Sequence, residues 1–222
     1  MSLLEGKRMR YNIVEIFPSI QGEGLDVGVE CVFVRFAGCN RNCIFCDTDW
    51  KKGQALSLEE VIAEIEKYDC RYVVLTGGEP TIQKGLPELV TALTALEYDI
   101  AIETNGTVFV PDLSVHMIAI SPKLSSSGRT FEEYTELKSL VESYPVFLKF
   151  VVSGEEDMEE AKEITEYLYN ETGAVIEVVF QPVFGEIEVN ELPELFRKVY
   201  GEVGKTMLVR FLPQVHKLIG VR

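Results

Sequence analysis

The 222 residues carry 21 Lys and Arg against 36 Asp and Glu, a formal net charge of −15 that argues against binding the phosphate backbone of a nucleic acid. Apolar residues make up 46% of the chain, enough for one well-buried core, yet no apolar run nears the roughly 20 residues of a membrane span, so no membrane association is expected. The opening MSLLEGKRMR lacks the apolar run of a secretory signal, so a cytoplasmic location is expected. Residues 1–9 are read as disordered or partly foreign to the native chain.

The first informative segment is Ile16-Phe17-Pro18-Ser19-Ile20-Gln21-Gly22-Glu23-Gly24. Two glycines around a carboxylate make a loop whose backbone can approach a planar polar ligand. Strand-like runs follow at 31–36, 72–75, 99–102, 117–120, 146–152, 175–180 and 207–211. Several are apolar at nearly every position, as in parallel strands covered on both faces. Between them, Ser57 with Glu60 forms a capping-box signature for a helix running to Tyr68, and 86–96 shows helical spacing. Thr130 with Glu133 offers a second capping box for a helix ending near Tyr144, and 156–169 and 192–199 complete the set. Alternation of this kind predicts right-handed crossovers and a single α/β domain with a parallel sheet. The acidic clusters at 155–160 and 186–194 are read as solvated faces and loops.

Short motifs gather at the C-terminal ends of the strands, where such folds place their chemistry. They are 38–46, Thr76-Gly77-Gly78-Glu79-Pro80, Glu103-Thr104-Asn105-Gly106-Thr107, Ser121-Pro122-Lys123 and Gln181-Pro182-Val183. The first holds three of the five cysteines, as Cys39-x3-Cys43-x2-Cys46; Cys31 and Cys70 stand apart and are read as buried thiols. Clustered soft thiolates select zinc, copper(I) or an iron–sulfur cluster. Structural zinc needs four closed ligands, and the two histidines, at 116 and 216, are far away in sequence. Three thiolates on a four-iron cluster leave one iron open. Arg35, inside an apolar strand, needs a partner; its fork suits a carboxylate, from an internal salt bridge or a ligand. Lys149 is a lone charge in another apolar strand, pointing into the lumen or snorkelling to its rim.

The cysteine spacing, with Phe45 before the last cysteine, resembles the radical S-adenosylmethionine superfamily. The Gln-Gly-Glu-Gly loop, Arg-Phe-Ala-Gly-Cys-Asn, Cys-Asp-Thr, Thr-Gly-Gly-Glu-Pro, Ser-Pro-Lys and the terminal Gln-x-His-Lys resemble, more narrowly, its 7-carboxy-7-deazaguanine synthase family. That resemblance spans residue 13 to the end of the chain. It implies an open, partial TIM-like barrel of about six parallel strands, with residues 212–222 closing the substrate site. It also implies a 4Fe-4S cluster on Cys39, Cys43 and Cys46, S-adenosylmethionine, and Mg2+ on Thr48. Phe45, Gly78, Glu79, Glu103, Asn105, Ser121, Pro122, Lys123 and Gln181 would contact the adenosylmethionine. Ile20, Gln21, Gly22, Glu23, Arg35, Thr76, His216 and the terminal carboxylate of Arg222 would contact a carboxylated pterin. An electron donor such as flavodoxin or ferredoxin, and a homodimer, are implied in the same way. A glycyl-radical activating enzyme shares the cysteine spacing and the Gly-Gly-Glu-Pro element, but needs neither Arg35 nor the His216 segment.

Overall fold

A computed structural model describes residues 9–128, 135–201 and 207–221. Its sheet has nine strands: β1 (Tyr11–Ile20), β2 (Glu30–Phe36), β3 (Gln54–Leu56), β4 (Tyr72–Gly77), β5 (Asp99–Thr104), β6 (Met117–Ile120), β7 (Val146–Val152), β8 (Ile176–Pro182) and β9 (Met207–Phe211). The order is β3-β1-β2-β4-β5-β6-β7-β8-β9. From β2 to β9 every pairing is parallel, while β1 pairs antiparallel with β2 and β3. The parallel part therefore has seven strands rather than six, and β1 and β3 extend it. The helices are α1 (Leu58–Ile65), α2 (Leu86–Ala95), α3 (Thr135–Ser143), α4 (Glu155–Thr172), α5 (Leu192–Tyr200) and α6 (Val215–Ile219). No helix among the described residues is long and apolar enough to cross a membrane.

Strand alternation explains why the apolar runs were nearly continuous. One set of positions, including Val34, Phe36, Leu75, Ile102, Ile120, Leu148, Phe150 and Phe180, packs with Val61, Leu89, Leu93, Leu140, Ile164 and Phe196 of the helices in one core. The alternate set faces the lumen. Its floor is apolar, built from Phe17, Cys31, Phe33, Tyr72, Val74 and Ala101, and from Ala119, Phe147 and Val179. Nearer the C-terminal ends, the same face carries polar groups: Arg35, Thr76, Glu103, Ser121, Lys149 and Gln181. Arg35 stands beside Thr76 in register, and Glu103 beside Ala119.

The sheet is curved. Glu23, just after β1, pairs with Lys149 of β7, although four strands lie between β1 and β7 in the sheet. Gly24, at φ +73, lies where any side chain would strike the Phe147 ring.

The Ser57–Glu60 capping box is formed at α1, with both reciprocal hydrogen bonds present. The proposed box at Thr130 and Glu133 lies outside the described residues, as do residues 1–8. The acidic cluster at 155–160 is not simply solvated. Asp157 is buried, accepting from Ser126 N and from Ser153 N and Oγ, and Glu160 takes Ser125. Cys31 is buried, but Cys70 is only half-buried.

Candidate active site at the strand ends

The polar strand ends enclose a cavity of about 420 Å³, a size suited to small-molecule binding. It brings together residues expected from the sequence to hold cluster, cofactor, magnesium and substrate. Pro122 is buried outside the lining, and Arg222 lies outside the described residues.

Cys39, Cys43 and Cys46 all line this cavity as free thiols, with Cys39 and Cys43 partly buried and Cys46 exposed. Burial pushes the Cys39 thiol up, a preference that ligation to iron would reverse. Among the described residues no three His, Cys, Asp or Glu side chains are gathered closely enough to hold one metal ion. The soft donors that line the cavity are these three thiols, a ligand type and number that suit a four-iron cluster with one open position.

Their loop is fastened at several points. Gly38 N donates to Trp50 O (2.9 Å), Glu79 N to Gly38 O (2.9 Å), and Ile44 N to Ser127 O (3.0 Å). Asn105 Nδ2 donates to Asn40 Oδ1 (2.9 Å), and Asn40 Nδ2 to Thr107 Oγ1 (2.7 Å). Gly78 has no room for a Cβ because the Gly38 carbonyl occupies that space. The Gly-Gly-Glu stretch therefore packs directly on the cysteine loop. The buried Glu79 carboxylate accepts from Thr81 N and Oγ1, Thr104 Oγ1 and Asn105 N, bracing the end of β4 against β5.

Two carboxylates, Glu103 and Glu23, organise another part of the lining. Glu103 accepts from Gln21 Nε2 (3.1 Å) and Thr76 Oγ1 (2.7 Å). Glu23 accepts from Gln181 Nε2 (3.2 Å) and Gln214 Nε2 (2.6 Å), and pairs with Lys149. Lys149 therefore points into the lumen, settling its orientation. Arg35 Nη1 donates to Thr48 Oγ1 (2.9 Å), and its guanidinium lies 5.5 Å from the centre of the Phe17 ring. Its Nε sits 3.0 Å from Glu15 Oε1, yet is buried without an aligned hydrogen bond. Arg35 thus has the internal salt-bridge partner that the sequence offered as one alternative, and its guanidinium still lines the cavity, where its fork suits a carboxylate ligand.

Two further groups fit a polar cofactor. Gln181 Oε1 is buried with no partner while its amide nitrogen is held by Glu23, so the free acceptor suits a ligand donor. Lys123 donates to Ser121 Oγ (3.1 Å), and burial together with Lys149 lowers its affinity for a proton. The sequence did not point to Glu15, and it placed Phe17, Gln214 and Lys217 inside the quoted segments without giving them an individual role. Glu15 and Phe17 follow the alternation of β1, a pattern legible once that strand is recognised.

The class follows from three thiols beside a strand-end cavity. The sequence model of the Radical SAM superfamily matches residues 33–196, and the chain belongs to that superfamily. Within it, the 7-carboxy-7-deazaguanine synthase of Aquifex aeolicus is 35% identical over 211 residues, 94% of this chain and 93% of the relative. The synthase of Halobacterium salinarum is 38% identical over 175 residues, 68% of each chain. Among solved structures, QueE from Escherichia coli gives a TM-score of 0.68 at 25% identity, covering 91% of this chain and 94% of the other. The chain is a member of the 7-carboxy-7-deazaguanine synthase family.

Proposed function

We propose that this radical SAM enzyme contracts the ring of 6-carboxy-5,6,7,8-tetrahydropterin with loss of ammonia, forming the 7-carboxy-7-deazaguanine after which its relatives are named. The observation that carries the reading is one cavity lined both by the three thiols and by Gln21, Arg35, Thr76 and Glu103. When bound, a reduced 4Fe-4S cluster with S-adenosylmethionine supplies a 5′-deoxyadenosyl radical.

The lining residues divide into separate tasks. Cys39, Cys43 and Cys46 hold the cluster, with Glu79, Asn105 and Asn40 fixing their loop. Gln181 Oε1, Ser121, Lys123, Gly78 and Phe45 take the adenosylmethionine. Arg35 orients the substrate carboxylate, and Gln21, Glu23, Thr76 and His216 surround the pterin with Ile20 and Gly22. Glu103 is read as a substrate-side group, because its hydrogen bonds go to Gln21 and Thr76. Thr48 supplies one oxygen to magnesium. A hydroxyl has two acceptor lone pairs, so the bond from Arg35 leaves one for a metal that keeps most of its waters. The reading carries with it an external one-electron donor such as flavodoxin or ferredoxin, a homodimer and a cytoplasmic setting.

The test is anaerobic turnover. Reconstituted protein with the carboxypterin, adenosylmethionine, magnesium and a reductant is expected to release ammonia and a product with the mass of 7-carboxy-7-deazaguanine. Cleavage of adenosylmethionine with the pterin recovered unchanged would rule the reading out.

A further inference from the structure

We propose that Lys149 is a positioning residue of the substrate wall: paired with Glu23, it holds that carboxylate where it anchors the C-terminal segment over the cavity. The inference rests on the pterin reading only in its kinetic arm.

Lys149 is 8% exposed on β7, between Phe147 and Val151 on the lumen face. A buried ammonium there is costly unless paired. Its partner is Glu23 Oε2, while Glu23 Oε1 accepts from Gln181 of β8 and from Gln214, the residue before α6. Burial opposes both charges; each is nevertheless maintained by the other, with the Glu23 carboxyl held well below the usual carboxylate range.

The tail depends on this anchor because it has little else. Helix α6 has no buried residue, and Leu218 and Ile219 are exposed. Its attachments are mainly polar: Gln214 to Glu23, Val215 N to Gly22 O (2.9 Å), and Lys217 Nζ to Asp47 Oδ2 (3.2 Å), with Lys217 Nζ also 4.8 Å from the centre of the Phe184 ring. The first two converge on residues 22 and 23. His216 lies so close over Gly22 that a side chain there would strike its ring. Moving Glu23 would therefore move the part of the tail that brings His216 to the cavity. A lysine serving only to fill the core would have no selective hold on residues 214–221.

Hydrogen exchange on the full reconstituted chain, without pterin, separates these roles. Lys149→Met is expected to speed exchange of peptides covering 214–221 by about tenfold, with the sheet little changed and Lys149→Arg partly restoring protection. Gln214→Ala should have a similar effect, and the Lys149→Met/Gln214→Ala double variant no more than either alone, because both act through one carboxylate. With the carboxypterin, KM should rise more than kcat falls. If Lys149→Met leaves tail exchange within about twofold of wild type, or the two effects multiply as independent ones do, the proposal is wrong. Should that variant fold poorly, Glu23→Gln/Lys149→Met removes both charges together. Its tail must also exchange faster; wild-type protection in that pair overturns the proposal. Wild-type turnover tests the pterin reading separately.

Discussion

Thr48 offers one hydroxyl oxygen to the cavity, and Arg35 already donates to it over 2.9 Å. This places a permanent cation beside the proposed magnesium position, so the hydroxyl must serve two electropositive neighbours. A metal that needed several protein oxygens would be poorly held here; one that keeps its waters would not. Thr48→Ala removes the proposed metal contact and the acceptor of Arg35 at once. Turnover should fall by about tenfold or more, the range set by loss of one oriented electrostatic contact, and added magnesium should no longer stimulate it. Measuring rate against magnesium concentration for both proteins decides the matter. A variant with wild-type turnover and unaltered magnesium response means Thr48 is only a partner of Arg35. Thr48→Ser, which keeps the oxygen, should retain most of the response.

Between the strands and their loops, the cysteine segment is shaped by its neighbours as much as by its own residues. Gly78 sits against the Gly38 carbonyl with no space for a methyl group, and Asn105 holds Asn40 across the loop. Gly78→Ala should push the loop away, at a cost of about 1–3 kcal/mol, the range for overpacking. Iron and sulfide per chain after reconstitution should fall below the wild-type values. Full cluster content with an unchanged electron paramagnetic resonance signal would show that the loop can yield. These elements also mark how far the sequence could be read. The seven parallel strands were legible because helices cover one face and an apolar lumen floor the other. The cysteine spacing and strand-end motifs located the cavity for the same reason: parallel strands deliver their C-terminal ends together. The strand β1 was hidden by Pro18 and the polar residues around it. Proline is tolerated there because β3 covers only Tyr11 to Ile13, leaving that part of β1 as an edge. Three-residue β3 and five-residue α6 are too short to show a period. The partners of Lys149 could not be read at all, since a contact between residues 23 and 149 depends on the curvature of the whole sheet.

That curvature makes the molecule a trough, with β3 and β1 at one end of the strand order and β9 at the other. The loop after β1 reaches across to β7 and β8, and the segment after β9 returns to meet it: Leu212 N donates to Phe180 O (3.0 Å), and Gln214 and Val215 join residues 23 and 22. The two ends of the chain thus close over one cavity, while the hydrophobic core lies on the other face of the sheet, under α1 to α5. The main core thus lies apart from the segments proposed to close over the substrate. Removing residues 214–222 takes away Gln214, His216 and Lys217 from the cavity lining, but no buried residue of α6. The thermal midpoint should fall by only about 2–4 °C, corresponding to roughly 1 kcal/mol for a domain of this size. Turnover of the carboxypterin should fall by about a hundredfold or more if, as proposed, the lost groups orient the substrate rather than support the fold. Calorimetry and product formation on the same preparation test the separation. A truncated protein that melts far below the full chain would place the tail in the folding unit. One that turns over normally would leave the cavity closed by other means.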